Sequence, residues 1–297
     1  MLWGGITLLF KKVGFILAVQ LLVAQPFYGS ERLVRFDAEH SFFSEKNPVV
    51  SVVSGGKRDK EVARALLALI DSDIKEEQER EIALGEALTK VVAYRDWKCG
   101  EKIVLPSEDG KGGAVTYQVE RIFYLFGGMP AYGLSPLSGK SAPILLYRGS
   151  CFSFKQRRAL ASIASDLDLT GPGHLTYLHA RKEIRAWLKT HALKGCPARV
   201  MGFSLGAALA AYTVLYEGDL LSKSARSLAF NSPGMARLRS LQFNGSPHAH
   251  LLSSYINEGD IISKVWTSYG YPHQFSHRAR KGPIESHLRL ASAAFAR

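Results

Sequence analysis

The stretch from Arg199 to Tyr212, RVMGFSLGAALAAY, decides how this chain is read. ARVMG is a short apolar run of strand type, and LGAALAAYTVLYEG is an Ala-rich helical segment ending at Gly218. Between them, Gly202-Phe203-Ser204-Leu205-Gly206 fits the G-x-S-x-G pattern of a nucleophile elbow, a sharp strand-to-helix turn that exposes a serine hydroxyl. Five residues alone decide little; their place between a strand and a helix gives them weight. The two glycines have a physical purpose there. Chain passes close on both sides of such a turn, and Cβ atoms at 202 and 206 would collide with it.

The flanking sequence continues the alternation. HLTYLHARKEIRAWLKTHAL has helical spacing, with Leu175, Leu178, Ile184 and Leu188 expected near one face. APILLYRGS holds a continuous apolar run, Ile144 to Tyr147, as in a buried strand. RSLAFNSPG is a strand entering a turn, LLSSYINEGD is another, and SHLRLASAAFA closes the chain as a helix. This order predicts an α/β fold, a mainly parallel sheet flanked by helices, in which ligands bind at the C-terminal ends of the strands. Ser204 is placed at that edge. Further upstream, VTYQVERIFYLF reads as a strand, CGEKIVLPSEDGKGGAV as a Gly-rich loop or hairpin, and residues 59–95 as two helices. The chain thus divides into a helical N-terminal region, 31–112, and an α/β domain, 113–297.

A serine is a weak nucleophile at neutral pH and needs a base, which needs an orienting group. On strand–elbow–helix scaffolds the chain order is Ser, then Asp or Glu, then His. Asp260 follows a strand at a Gly-containing turn on the expected edge; Glu258 is its nearest competitor. Glu217 and Asp219 end the Ala-rich helix, at the opposite edge. Of the later histidines, His287 opens the last helix, which can carry it over the elbow, and His273 in GYPH is the alternative base. Ser150, directly after the buried strand, is a candidate oxyanion donor through its amide and hydroxyl.

Taken in order, LLYRGS, GFSLGAALA, AFNSPG, NEGDIISKV and a late His resemble the class 3 lipase family of the α/β-hydrolase fold, over about residues 115–297. The resemblance implies Ser204 as nucleophile, Asp260 as the acid, and Ser150 with the Leu205 amide as oxyanion hole. It also implies acyl lipids as substrates and a helical lid in CFSFKQRRALASIASDL. Phe152, Phe154, Leu160 and Ile163 would cover an acyl groove, with Lys155, Arg157 and Arg158 beside them. Phe203 stands where the family has His, Ala207 where it has Gly, and the stretch between Asp and His is shorter. A second class of function, a catalytically silent lipase-like binding module, would be expected to have lost Ser, Asp or His; all are present.

Composition sets the outer bounds. The 297 residues are 46% hydrophobic and 22% charged, as in a globular protein. The formal charge of +12 favours an anionic membrane surface as partner. Nucleic acid is not expected, since no binding motif occurs and basic residues do not interleave with aromatics. Three cysteines, Cys99, Cys151 and Cys196, lack metal spacing and cannot all pair. A Ser-Asp-His mechanism needs neither metal nor cofactor. Lys11-Lys12 followed by the apolar run Val13 to Ala24 has the form of a signal peptide or N-terminal anchor over 1–25, predicting export.

Overall fold

A computed structural model describes residues 77–90, 92–106, 114–138, 141–150, 170–276 and 286–287. The expected signal segment, the helix DKEVARALLALI, the lid with its seven named residues, Cys151 and most of the last helix lie outside the described residues. Cys99 and Cys196 are free and exposed. No helix among the described residues is long and apolar enough to cross a membrane.

Among the described residues, eight strands form one sheet in sequential order. They are β1 Lys102–Pro106, β2 Ala114–Tyr124, β3 Pro130–Pro136 and β4 Ile144–Tyr147, then β5 Arg199–Phe203, β6 Ser227–Phe230, β7 Leu252–Asn257 and β8 His273–Phe275. β1 to β4 pair antiparallel, and β4 to β8 pair parallel. The helices are α1 Glu77–Lys90, α2 His174–Leu193, α3 Leu205–Glu217 and α4 Arg237–Asn244. This is an α/β fold, with a parallel half extended by an antiparallel one.

Alternation along the strands divides the core into two layers. Ile144, Leu146, Met201, Phe203, Leu228 and Phe230 face α1 residues such as Ile82, Leu84 and Leu88. Leu145, Tyr147 and Val200 face α2 and α3. In β2 a register shift between Val119 and Arg121 reverses the alternation. Val119 therefore lies in the α1 layer and Phe123 in the α2–α3 layer. α3 is buried on nearly every side, which its run of small alanines allows between sheet and α2.

Two expectations need correction. Lys102–Pro106 falls within the stretch read as the helical N-terminal region, yet it is a strand paired with β2, and Ile103 and Leu105 join the α1 layer. The hairpin reading of the Gly-rich stretch accounts for it. Leu175 and Leu178 are exposed; the buried face of α2 instead runs through His174, Tyr177, Ile184, Trp187, Leu188 and His191. His273, the alternative base, lies on β8, opposite Tyr255.

Candidate active site

The site is assembled where β5, β6 and β7 end. Ser204 follows β5 with φ 55° and ψ −123°, a backbone conformation that L residues rarely adopt. Its N–H donates to Phe230 O at 2.9 Å, so the turn is still tied to β6. A Cβ on Gly202 would lie 2.0 Å from Gly206 O, and one on Gly206 2.8 Å from both Tyr147 O and Arg148 O. Both glycines are there because backbone occupies the space a side chain would need.

A serine before a helix ordinarily turns its hydroxyl onto the helix amides as a cap. Ser204 does not; it makes no side-chain cap bond. Its Oγ lies 3.0 Å from His287 Nε2. His287 Nδ1 lies 3.0 Å from each carboxylate oxygen of Asp260. The ionised carboxylate accepts only, so Nδ1 carries the proton and Nε2 is left to accept from the serine. All three residues are buried: Ser204 is 7% exposed, His287 5% and Asp260 1%.

Asp260 combines two tasks. Its Oδ1 accepts the Ile262 amide at 2.8 Å and its Oδ2 accepts the Ser263 hydroxyl at 2.5 Å, tying it to the turn Ile262–Lys264. Those bonds fix the carboxylate that meets the imidazole. Of the competing acids, Glu258 is exposed. Glu217 is buried at the far end of α3 against Arg181, Arg185 and Tyr177. His273, the alternative base, is exposed and stacks on Tyr255 with centroids 5.3 Å apart. It is not brought to Ser204.

Ser150 is buried just beyond β4. The chain there runs against the elbow: a Cβ on Gly149 would lie 2.8 Å from Phe203 O and 3.4 Å from Ser204 Cβ. On the other side, the Ala207 and Ala208 amides return to Ser204 O. Leu205 and Gly206 are the amides ahead of that ladder, at the positive end of α3. An anion formed next to Ser204 Oγ would therefore sit between the Ser150 region and the start of α3.

Phe203 packs its ring on His287, with centroids 5.0 Å apart and planes 34° from parallel. Lys90 Nζ lies 4.9 Å from the Phe203 centroid and 2.6 Å from Glu86 Oε1, a buried pair on α1 beneath the elbow. Sequence reading missed this neighbourhood, as it missed Ser263, Asn231 and Asn257. The asparagines carried one legible signal, their position at strand ends; the carbonyls they donate to, His287 O for Asn231 and Ser286 O for Asn257, are 56 and 29 residues away.

A second Ser/His/carboxylate group, Ser135, His191 and Glu120, has the right residue types and the wrong geometry. Ser135 Oγ at 3.3 Å and Glu120 Oε2 at 2.8 Å address the same nitrogen, His191 Nε2. A base cannot accept from a serine through the nitrogen that donates to its acid.

No family model matches the chain, and no curated protein matches it. Among solved structures it is similar to a Rhizomucor miehei lipase propeptide complex, native. Identity is 14% and the TM-score 0.42, over 75% of this chain and 78% of that chain. A likeness of that size transfers no residue role.

Proposed function

We propose that this chain is a serine hydrolase that cleaves carboxylic esters of lipids through an acyl-enzyme. One observation carries the reading: Ser204 is held in a strained backbone with its hydroxyl on His287 Nε2, where an ordinary helix cap would use it elsewhere. Strain at such a residue persists only where the surroundings over-determine it, and it concentrates at reactive positions.

In the first step Ser204 Oγ attacks the ester carbonyl carbon and its proton passes to His287 Nε2. Asp260 stabilises the imidazolium without taking the proton. The tetrahedral oxyanion accepts hydrogen bonds from the Leu205 amide and from Ser150. Collapse breaks the carbon–oxygen bond to the alcohol, which leaves with the proton from Nε2. Water, deprotonated by the same nitrogen, then attacks the acyl-enzyme, releases the acid and restores Ser204.

The lipid substrate class rests on the motif resemblance. Large exposed apolar side chains, among them Tyr124, Phe126, Leu238 and Leu241, are compatible with contact to a lipid surface. A fluorophosphonate probe tests the reaction. The wild type should be labelled, and Ser204→Ala should lose both the label and hydrolysis of a p-nitrophenyl ester, with turnover down by about 10⁶. Loss of labelling with a retained fold is the expected result; equal labelling of both proteins would move the nucleophile away from Ser204, and no labelling of either would leave the silent binding module as the better reading.

A further inference from the structure

Among the described residues, two non-glycine residues have a positive φ, Ser204 at 55° and Asn231 at 50°. Both hold His287. Ser204 meets the imidazole at Nε2, and Asn231 Nδ2 donates to the main-chain carbonyl of His287 at 2.7 Å and, more weakly, to that of Ser286 at 3.5 Å. Asn231 is fully buried, and its Oδ1 has no hydrogen-bond partner. Turning the amide over would aim that oxygen at two carbonyls, so the orientation is set. Asn231 thus carries two local penalties at once, a left-handed backbone and an orphaned acceptor. Glycine at this position would relieve both.

Asn257 acts from the next strand. It ends β7, and its Nδ2 donates to Ser286 O at 3.0 Å. The Asn231 amide continues the β6–β7 ladder by donating to Tyr255 O at 2.8 Å, so both asparagines belong to one sheet edge. Gly259, at φ 80°, leaves room there: a Cβ would lie 3.2 Å from Ser286 Oγ.

We infer that Asn231 and Asn257 are positioning residues for His287, an amide clamp on the Ser286–His287 main chain that sets how far the imidazole reaches toward Ser204. The inference rests on the Ser204–His287–Asp260 reading proposed above. Asp260 holds the ring at Nδ1 and thereby controls its rotation. It does not control where the backbone stands, and a displacement of about 1 Å is enough to lose a productive geometry.

Asn231→Gly separates this role from a structural one, because the two predict different changes in Tm. A glycine accepts the left-handed backbone and removes the orphaned oxygen, which offsets the lost bonds to the Ser286 and His287 carbonyls, so Tm should change little. Turnover of a p-nitrophenyl ester should fall by about 10- to 100-fold with little change in KM. Asn257→Ala should lower turnover in the same sense. The low-field proton resonance of the Asp260–His287 hydrogen bond should broaden or vanish in Asn231→Gly while remaining sharp in the wild type. That resonance is read in the resting protein without substrate. It therefore tests the clamp even if the wild type hydrolyses no ester, a result that would overturn the hydrolase reading instead. Turnover within twofold of wild type with an unchanged resonance would overturn the clamp. So would a parallel loss of Tm and activity, which would make Asn231 a folding residue.

Discussion

At the scale of single residues, His287 and His273 separate by what each can reach. His287 stands with one ring nitrogen on Ser204 and the other on Asp260. His273 is exposed on β8, its ring against Tyr255. His287→Ala should therefore reduce ester hydrolysis by about 10⁴-fold or more, as removal of a base acting together with its nucleophile does. His273→Ala should stay within about twofold of wild type, a surface change remote from any proton transfer. Parallel kcat measurements on both variants check this, and a reversed pattern would move the base to His273. Asp260 shows what local signal the sequence carried at this position. A Gly-Asp turn after a strand is a common cap, and here the turn contact and the imidazole contact use the same carboxylate.

At the scale of elements, α2 is docked on the antiparallel half of the sheet by polar contacts as well as by its apolar face. Glu120 on β2 accepts from Trp187 Nε1 at 2.8 Å, from His191 Nε2 at 2.8 Å, and from the Ser135 hydroxyl of β3. Burial pushes the Glu120 carboxyl up, but the bonds from Ser135, Trp187 and His191, with the His191 charge, outweigh it, and the net direction is down. A carboxyl lowered in the folded state adds stability above its unfolded value of about 4.3, and that stability is lost as the pH falls through the lower folded value. The gap between thermal melts of wild type and Glu120→Gln should be full above the unfolded value and close in strong acid. A gap independent of pH would show that the charge on Glu120 does not hold α2. The expected apolar face of α2 failed at Leu175 and Leu178 for a related reason. Trp187 and His191 bury their bulk while satisfying polar atoms on Glu120, so the helix is rotated toward partners that an apolar count does not weigh.

At the scale of the whole molecule, charge is the dominant feature. A formal +12 over 297 residues motivates a test of binding to anionic surfaces. Lys155, Arg157 and Arg158, outside the described residues, add cations in the segment that the motif resemblance assigns to a lid. Each cation near an anionic bilayer contributes about 1 kcal/mol within a Debye length. Hydrolysis of vesicle lipid should rise when phosphatidylglycerol is mixed into phosphatidylcholine, and high salt should remove the gain. Replacing the three cations with Gln should remove it too while sparing a soluble short-chain ester. Equal rates on neutral and anionic vesicles at low salt would exclude this preference.

What the sequence determined by itself was local in origin. The apolar runs Ile144 to Tyr147 and ARVMG, the Ala-rich run after Ser204 and the paired glycines at 202 and 206 specify strand, elbow and helix, because each depends on neighbours a few residues away. Chain order then put forward Ser204, Asp260 with Glu258 as competitor, and His287 with His273 as alternative. Only the tertiary structure decided the distances that bring them within hydrogen-bonding reach, since Ser204 and His287 are 83 positions apart. It alone decided that β1 joins the sheet, that the β2 bulge turns Phe123 to the opposite layer, and that Asn231 and Asn257 aim their amides at the Ser286–His287 main chain. Those outcomes depend on which backbone groups remain to be satisfied once the sheet has closed, and that is a property of the assembled fold rather than of any window of sequence.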